Sequence, residues 1–312
     1  MTIGEPLAVP ETDGPVTGVR SEAGKGNVLL GLTRPRLGVL GMITVLFCNL
    51  LAYTTPGPPP RLLGLTGLIV GGALALAGAS ALNQFLERRP DALMRRTAGR
   101  PLPTGRISPL AAGLIGLLLT AGGLAVLAAS VGLSTAGWTL AGVLSYSLVY
   151  TPLKQRSSLN TIVGAFPGAI PALMGWSAAR ALTPDAWVIF GVLALWQVPH
   201  FLAIAWLYRA DYQRAGFQML GGGPANGADL GRQSLLFALA ILPCSLLLLQ
   251  RGYAGPVYGA GALALGLYYV SASRRLQLEP SPLHARRLLR ASVVFLPLFF
   301  IVLVLDRLLF AP

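Results

Sequence analysis

The chain has 312 residues, 54% hydrophobic and 11% charged, with a net charge of +13 and a mean hydropathy of +0.65. Soluble domains carry about a quarter charged residues, and here the charges are clumped, so that residues 110–150 and 233–250 contain none. This excludes an ordinary soluble globule, a disordered chain and, despite the basic balance, a nucleic-acid-binding domain. The pattern is that of an all-α, polytopic integral membrane protein.

Residues 1–30 are polar, with Glu5, Glu11, Asp13 and Glu22 among Gly and Pro. Mitochondrial presequences are poor in acids, so this segment reads as a flexible cytoplasmic tail. Residues 31–312 then form one intramembrane domain. Its apolar runs predict nine spans, near 36–55, 62–86, 107–130, 134–150, 160–179, 186–208, 233–250, 254–273 and 290–310. All Arg and Lys fall in the N-terminus and the even-numbered connections, except Arg61, Arg180, Arg251 and Arg307. Basic connections stay in the cytoplasm, which predicts a cytoplasmic N-terminus. Cys48 and Cys244 lie in separate apolar runs, forming neither a disulfide framework nor a CxxCH haem-attachment motif.

Glu87 and Asp91 follow the second span and Asp211 follows the sixth, so all three open on the cytoplasmic side. Asn83, Glu87 and Asp91 recur every fourth residue, which stacks three oxygen-bearing side chains along one helical stripe. Such oxygens suit a hard cation such as Mg²⁺ shared with a phosphate. The following RRTAGRPLPTGR supplies Arg95, Arg96, Arg100 and Arg106, and guanidinium forks match phosphate oxygens. A metal diphosphate between acids and arginines would satisfy both, although a solvated, topology-setting loop explains the same residues. Pro90 is expected to kink or end the helix, leaving Asp91 on a loop. His200, in LWQVPHFLAIAWLYRADY, is an ionisable residue inside a span and hence a functional candidate. A neutral ring bonded to a carbonyl freed by Pro199 is the plainer alternative.

Five blocks in order resemble the UbiA-type intramembrane prenyltransferases, and among them the protoheme IX farnesyltransferases (haem O synthases). They are LTRPRLGVL, NQFLERRPDALMRRTAGRPLPTGRIS, YTPLKQRSSLNTIVGAFPGAIPALMGW, WQVPHFLAIAWLYRADYQRAGFQML and ARRLLRASVVFLPLFF, and the resemblance covers about residues 32–306. It implies a nine-helix barrel around a central cavity, closed by cytoplasmic loops. Farnesyl diphosphate and haem b would be substrates, Mg²⁺ the cofactor, and haem O and diphosphate the products, supplying terminal oxidases. Asn83, Glu87 and Asp91 match the metal-diphosphate motif NxxxDxxxD, and Asp211 matches the aspartate of a second one. Arg96 and Arg100 match diphosphate- or propionate-binding arginines. In the YTxLK segment, Lys154 matches a diphosphate ligand and Tyr150 a residue stabilising allylic charge. Tyr150, Phe201 and Trp176 are available to line the chamber. His200 matches the haem branch's histidine, as an iron ligand, a hydrogen-bonding partner or a guide for water.

Glu87 replaces the usual Asp, Arg89 and Pro90 interrupt the first motif, and Asp211 stands alone in the second. These departures leave fewer carboxylates for a second metal. A quinone, aromatic or chlorophyll-type acceptor and, further off, a secondary transporter are the rival readings; PHF…DYxxAGxxML favours haem. The implied surroundings are the lipid bilayer of a bacterial inner membrane, with haem A synthase or terminal oxidase assembly factors as partners and no nucleic acid.

Overall fold

Prolines at the first helical turn and glycines at close helix crossings fix much of the architecture. The structure is a computed structural model that describes residues 28–54, 62–220 and 227–310. The predicted tail lies outside the described residues except for its last three positions, which open α1 (Val28–Thr33). There follow α2 (Pro35–Tyr53), α3 (Leu62–Leu86), the short α4 (Arg88–Leu93) and α5 (Pro109–Ser130). Next, α6 (Leu133–Leu144) runs through a π-helical turn (Ser145–Tyr150) into α7 (Thr151–Leu153). Then come α8 (Asn160–Val163), α9 (Ala165–Ser177), α10 (Pro184–Leu207), α11 (Arg209–Arg214), α12 (Gly227–Gln250), α13 (Pro256–Leu278) and α14 (Pro282–Phe310). Among the described residues there is no strand.

Every predicted span coincides with a helical segment, but the segments differ in kind. Helices α2, α3, α5, α10, α12 and α14 are long and apolar enough to cross a membrane. The fourth predicted span changes from α to π geometry at Ser145, and the fifth is divided at Gly164. Helix α13 is long enough, but its apolar face is diluted by Tyr258, Tyr268, Tyr269, Ser271 and Ser273.

Start signals are local. Proline, whose missing N–H costs nothing in the first turn, opens α2, α5, α10 and α13, and Ser108 Oγ accepts the Ala111 N–H to cap α5. Helices α3 and α5 cross closely because small residues face each other. A Cβ on Gly123 would lie 2.6 Å from the Gly71 carbonyl oxygen. Helix α10 packs on α9, α12 and α14 around a core that includes Trp176, Tyr258, Tyr269, Phe295, Phe299 and Phe300. Trp176 is thus a core residue beside Tyr253, not a wall of the cavity described below. Both cysteines are free, Cys48 buried and Cys244 partly so.

At one end of the bundle, Asp306 accepts the backbone N–H groups of Gly255 and Tyr258, capping α13 from another helix. Arg307 donates to Thr54 Oγ1, Thr54 O and Tyr253 O at 2.7–3.0 Å, tying α14 to the end of α2. Asp306→Ala is expected to cost about 1–2 kcal/mol, as for loss of a helix cap. Thermal unfolding in detergent would register this as a lower midpoint, with activity at the far end unchanged below that midpoint.

Candidate active site

The opposite end gathers the predicted site. Pro90 has no N–H and its ring crowds the carbonyl four residues back, that of Leu86, where α3 stops. Glu87 takes a non-helical conformation (φ −89°, ψ 8°) before α4 begins. The spacing nevertheless survives, because Glu87 N–H donates to Asn83 O and Asp91 N–H donates to Glu87 O, both at 2.8 Å. Asn83, Glu87 and Asp91 therefore stay on one stripe, all buried, and Asp91 belongs to a helix rather than a loop.

Each has a partner from a different segment. Asn83 Nδ2 donates to Thr151 Oγ1 at 3.1 Å, Lys154 Nζ lies 2.6 Å from Glu87 Oε1, and an Arg100 guanidinium nitrogen lies 2.5 Å from Asp91 Oδ2. Asp91 Oδ1 is buried without a partner among the described residues. Burial pushes the Asp91 carboxyl above its ordinary range, with Arg100 opposing. Burial would lower Lys154, but Glu87 outweighs it and holds the ammonium above its ordinary value. Arg34 is pushed down by burial and by Arg100 and Arg96 nearby. Arg34 is also the one non-glycine residue with positive φ (49°) among the described residues, a strained conformation that aims its side chain from the α1–α2 break into the site.

The charges do not balance. Arg34, Arg96, Arg100 and Lys154 surround Glu87 and Asp91, and each acid is already paired one-to-one with Arg100 or Lys154. The Arg34 and Arg96 guanidinium groups form no ion pair among the described residues; that of Arg96 instead stacks on Tyr208 and Tyr212 and donates to Tyr212 OH at 3.2 Å. Net positive charge in a partly closed pocket is an anion site. Opposite lies the π turn, where Tyr146 and Tyr150 stack at 5.6 Å and Lys154 sits over the Tyr150 ring at 4.4 Å. π turns recur at functional sites.

Two cavities meet there. A polar one of about 90 Å³ is lined by Asn83, Glu87, Asp91, Arg96, Arg100, Lys154 and Tyr212. An apolar one of about 410 Å³ runs between α2, α3, α6, α9 and α10 past Leu37, Leu76, Ile170, Met174 and Phe201. Arg34, Tyr146 and Tyr150 line both. The shape suits a ligand with a multiply charged head and a long apolar body.

Two predicted site residues stand outside these linings. Asp211 accepts the backbone N–H groups of Arg95 and Arg96 at 3.3 and 3.4 Å and pairs with Arg214, so its carboxylate docks the loop after α4 onto α11. Burial would raise that carboxyl, but Arg214 and the two N–H groups hold it below its usual range. His200 turns away from both cavities, while Gln197 and Phe201, on either side of it in sequence, line the apolar one. Its Nδ1 is 2.8 Å from Ser292 Oγ and its ring stacks on Trp196 at 5.3 Å. Ser292 Oγ already donates to Leu289 O, so it accepts from His200 Nδ1–H and leaves Nε2 with its lone pair.

Among the described residues no three His, Cys, Asp or Glu side chains converge on a metal position. The donors nonetheless fit Mg²⁺, which commonly takes one or two carboxylates and completes its shell with phosphate oxygens and water. The unpartnered, buried Asp91 Oδ1 is an open ligand position of that kind.

The UbiA prenyltransferase family profile matches residues 41–305. The chain belongs to the UbiA prenyltransferase family. Among curated UbiA relatives, the protoheme IX farnesyltransferase of Solibacter usitatus is 42% identical over 247 residues, covering 79% of this chain and 85% of that protein. The same-named protein of Opitutus terrae is 41% identical over 281 residues, covering 89% and 94%. Solved structures share the UbiA fold. A digeranylgeranylglyceryl phosphate synthase structure superposes with a TM-score of 0.76 at 14% identity, covering 91% of this chain and 98% of that one. A UbiA homolog from Archaeoglobus fulgidus bound to GPP and Mg²⁺ gives 0.66 at 19% identity, covering 88% and 99%.

Arg34, Tyr146, Tyr212 and Gln197 were not singled out by the sequence argument. The Arg34–Pro35 pair at a span entrance and the four-residue spacing of Tyr146 and Tyr150 are the signals that could have found the first two.

Proposed function

We propose that the protein transfers a farnesyl group from farnesyl diphosphate to a vinyl group of haem b, with addition of water, giving haem O and diphosphate. The observation that carries this is the junction of an overcharged cationic pocket with a long apolar chamber, in a chain whose relatives bear that name. Arg34, Arg96, Arg100 and Lys154 bind the diphosphate, and Asn83, Glu87 and Asp91 hold Mg²⁺. When bound, Mg²⁺ supplies electrostatic stabilisation of the departing diphosphate. The four cations stabilise the same charge in a site partly closed to water. Tyr146 and Tyr150 line the junction, where the allylic cation forms beside an aromatic wall. The vinyl carbon attacks the farnesyl carbon as the diphosphate bond breaks, and water closes the cation left beside the porphyrin.

His200 is assigned to haem. Support comes from the tautomer, since a histidine that donates Nδ1–H to a neighbour offers Nε2 to iron. Asp211 acts as a positioning residue for the arginine loop. The nine predicted spans cross a bacterial inner membrane, with the active-site end cytoplasmic and haem A synthase or terminal oxidase assembly factors as partners downstream.

Membranes carrying the protein, supplied with haem b, farnesyl diphosphate and Mg²⁺, are expected to form a haem heavier by farnesyl plus water, read by chromatography with mass detection. In the purified protein, His200→Ala is expected to lose the haem Soret band of the wild type. Prenylation of a quinone or aromatic precursor with no modified haem would keep the fold and refute the acceptor. An unchanged Soret band would remove His200 from the haem site.

A further inference from the structure

The apolar chamber contains one feature that prenyl transfer by itself does not use. Beyond its polar mouth, the polar side chains on its wall are Ser80, Thr139 and Gln197. Thr139 donates its hydroxyl to Thr135 O at 2.8 Å. Gln197 is 5% exposed, and its Nε2 donates to Leu193 O, one turn back on α10, at 3.3 Å. That bond leaves Oε1 against Gly168 of α9, which lines the chamber with it, and Oε1 accepts no hydrogen bond among the described residues. Gly168 on α9 makes the room, because a Cβ there would occupy the position of Oε1. A carboxamide oxygen without a protein partner is left to accept from whatever enters the chamber, whose wall is mostly aliphatic and aromatic.

We infer that Gln197 positions the water that completes the reaction, its Oε1 accepting one proton of that water in a hydrogen bond. The inference rests on the proposed acceptor, haem b. Attack by the terminal vinyl carbon forms the new carbon–carbon bond and breaks the bond from farnesyl carbon to diphosphate. This leaves a cation on the vinyl carbon attached to the porphyrin. Two exits follow from that cation. Water adds through oxygen and passes its second proton to the released diphosphate, giving the hydroxyl product. Alternatively the cation loses a proton from the adjacent carbon to the same diphosphate, giving an alkene one water lighter. A carboxamide is too weak a base to take a proton outright, so Gln197 sets which exit wins by holding the water oxygen against the cation. Phe201, one turn further along the same face of α10, keeps the remaining volume dry.

The test is the product ratio formed by membranes from haem b and farnesyl diphosphate. Gln197→Leu, nearly isosteric and apolar, is expected to raise the ratio of dehydrated to hydrated haem product by about tenfold, the equivalent of about 1.4 kcal/mol. Gln197→Glu keeps an acceptor oxygen in place and is expected to restore the hydrated product. Gly168→Ala, which displaces the carboxamide without removing it, is expected to shift the ratio in the same direction as Gln197→Leu. An unchanged ratio in Gln197→Leu, or dehydration in Ser80→Ala instead, would overturn the inference. So would loss of all turnover in Gln197→Leu with normal amounts of inserted protein, which assigns the residue to packing. If the wild type forms no haem product, the acceptor reading fails first, and the two failures are distinguishable.

Discussion

Asp91→Asn is expected to lower turnover by about a thousandfold, the upper range for removing one preorganised electrostatic contact, while leaving the helices and thermal midpoint nearly unchanged. The two readouts separate because the carboxylate stabilises the reaction more than the fold. Asp91 is fully buried, one oxygen is held by Arg100 at 2.5 Å, and the other has no partner among the described residues. Burial of that charge is unfavourable and raises its carboxyl above the ordinary range, so neutralising it relieves a desolvation cost that offsets the lost ion pair with Arg100. Asn keeps the volume but removes the charge that a divalent cation needs, and it can present an N–H where the cation would sit. In the wild type, Mg²⁺ with inorganic diphosphate is expected to raise the midpoint, since a ligand that binds only the folded state stabilises it. In Asp91→Asn that rise should disappear. Full activity in the variant, or a large loss of stability with activity retained per folded molecule, would remove Asp91 from the metal-diphosphate site.

Bilayer crossing demands long apolar runs, which are visible without packing information, so the predicted spans fall on helices, although α12 and α14 begin at Gly227 and Pro282, ahead of the predicted 233 and 290. The uneven sharing of basic residues predicts a topology, and the structure separates two polar clusters, one around Asp306 and Arg307, the other around Glu87 and Lys154. The stripe of oxygen-bearing side chains was legible because it is local: Asn83, Glu87 and Asp91 are one turn apart, and the helix break at Glu87 preserves their register. What escaped depends on long-range closure. Arg34 reaches the site from the start of the second helix, and its role follows from a strained backbone that no composition reveals. Asp211 and Tyr212 are adjacent in sequence, yet Tyr212 lines the pocket and Asp211 turns to the loop. His200 and Gln197 differ in the same way, because a rotation of about 100° per residue decides which of them faces the chamber.

Asp211 permits the sharper of the two tests, because its two readings predict opposite orders for its variants. As a direct metal ligand, Asp211→Asn and Asp211→Ala would both abolish turnover, since each removes the charge. As the dock for the arginine loop, the residue needs acceptor oxygens more than charge. Its partners are the Arg95 and Arg96 backbone N–H groups and the Arg214 side chain. An amide oxygen can still accept from that backbone, so Asp211→Asn is expected to stay within about tenfold of the wild type, the factor for about 1.4 kcal/mol. Asp211→Ala leaves both N–H groups unpaired and frees Arg96, for which a misplacement of about 1 Å can cost about a hundredfold. Limited proteolysis should then cut residues 94–106 faster in Asp211→Ala than in Asp211→Asn. Acidity should mimic the asparagine variant, since protonation removes the charge and keeps an acceptor oxygen. The folded-state carboxyl is held below its usual range, so its contribution is complete above about pH 4 and is lost as the pH falls through the lowered value. Equal loss of turnover in both variants, with the loop protected in each, would return Asp211 to the metal.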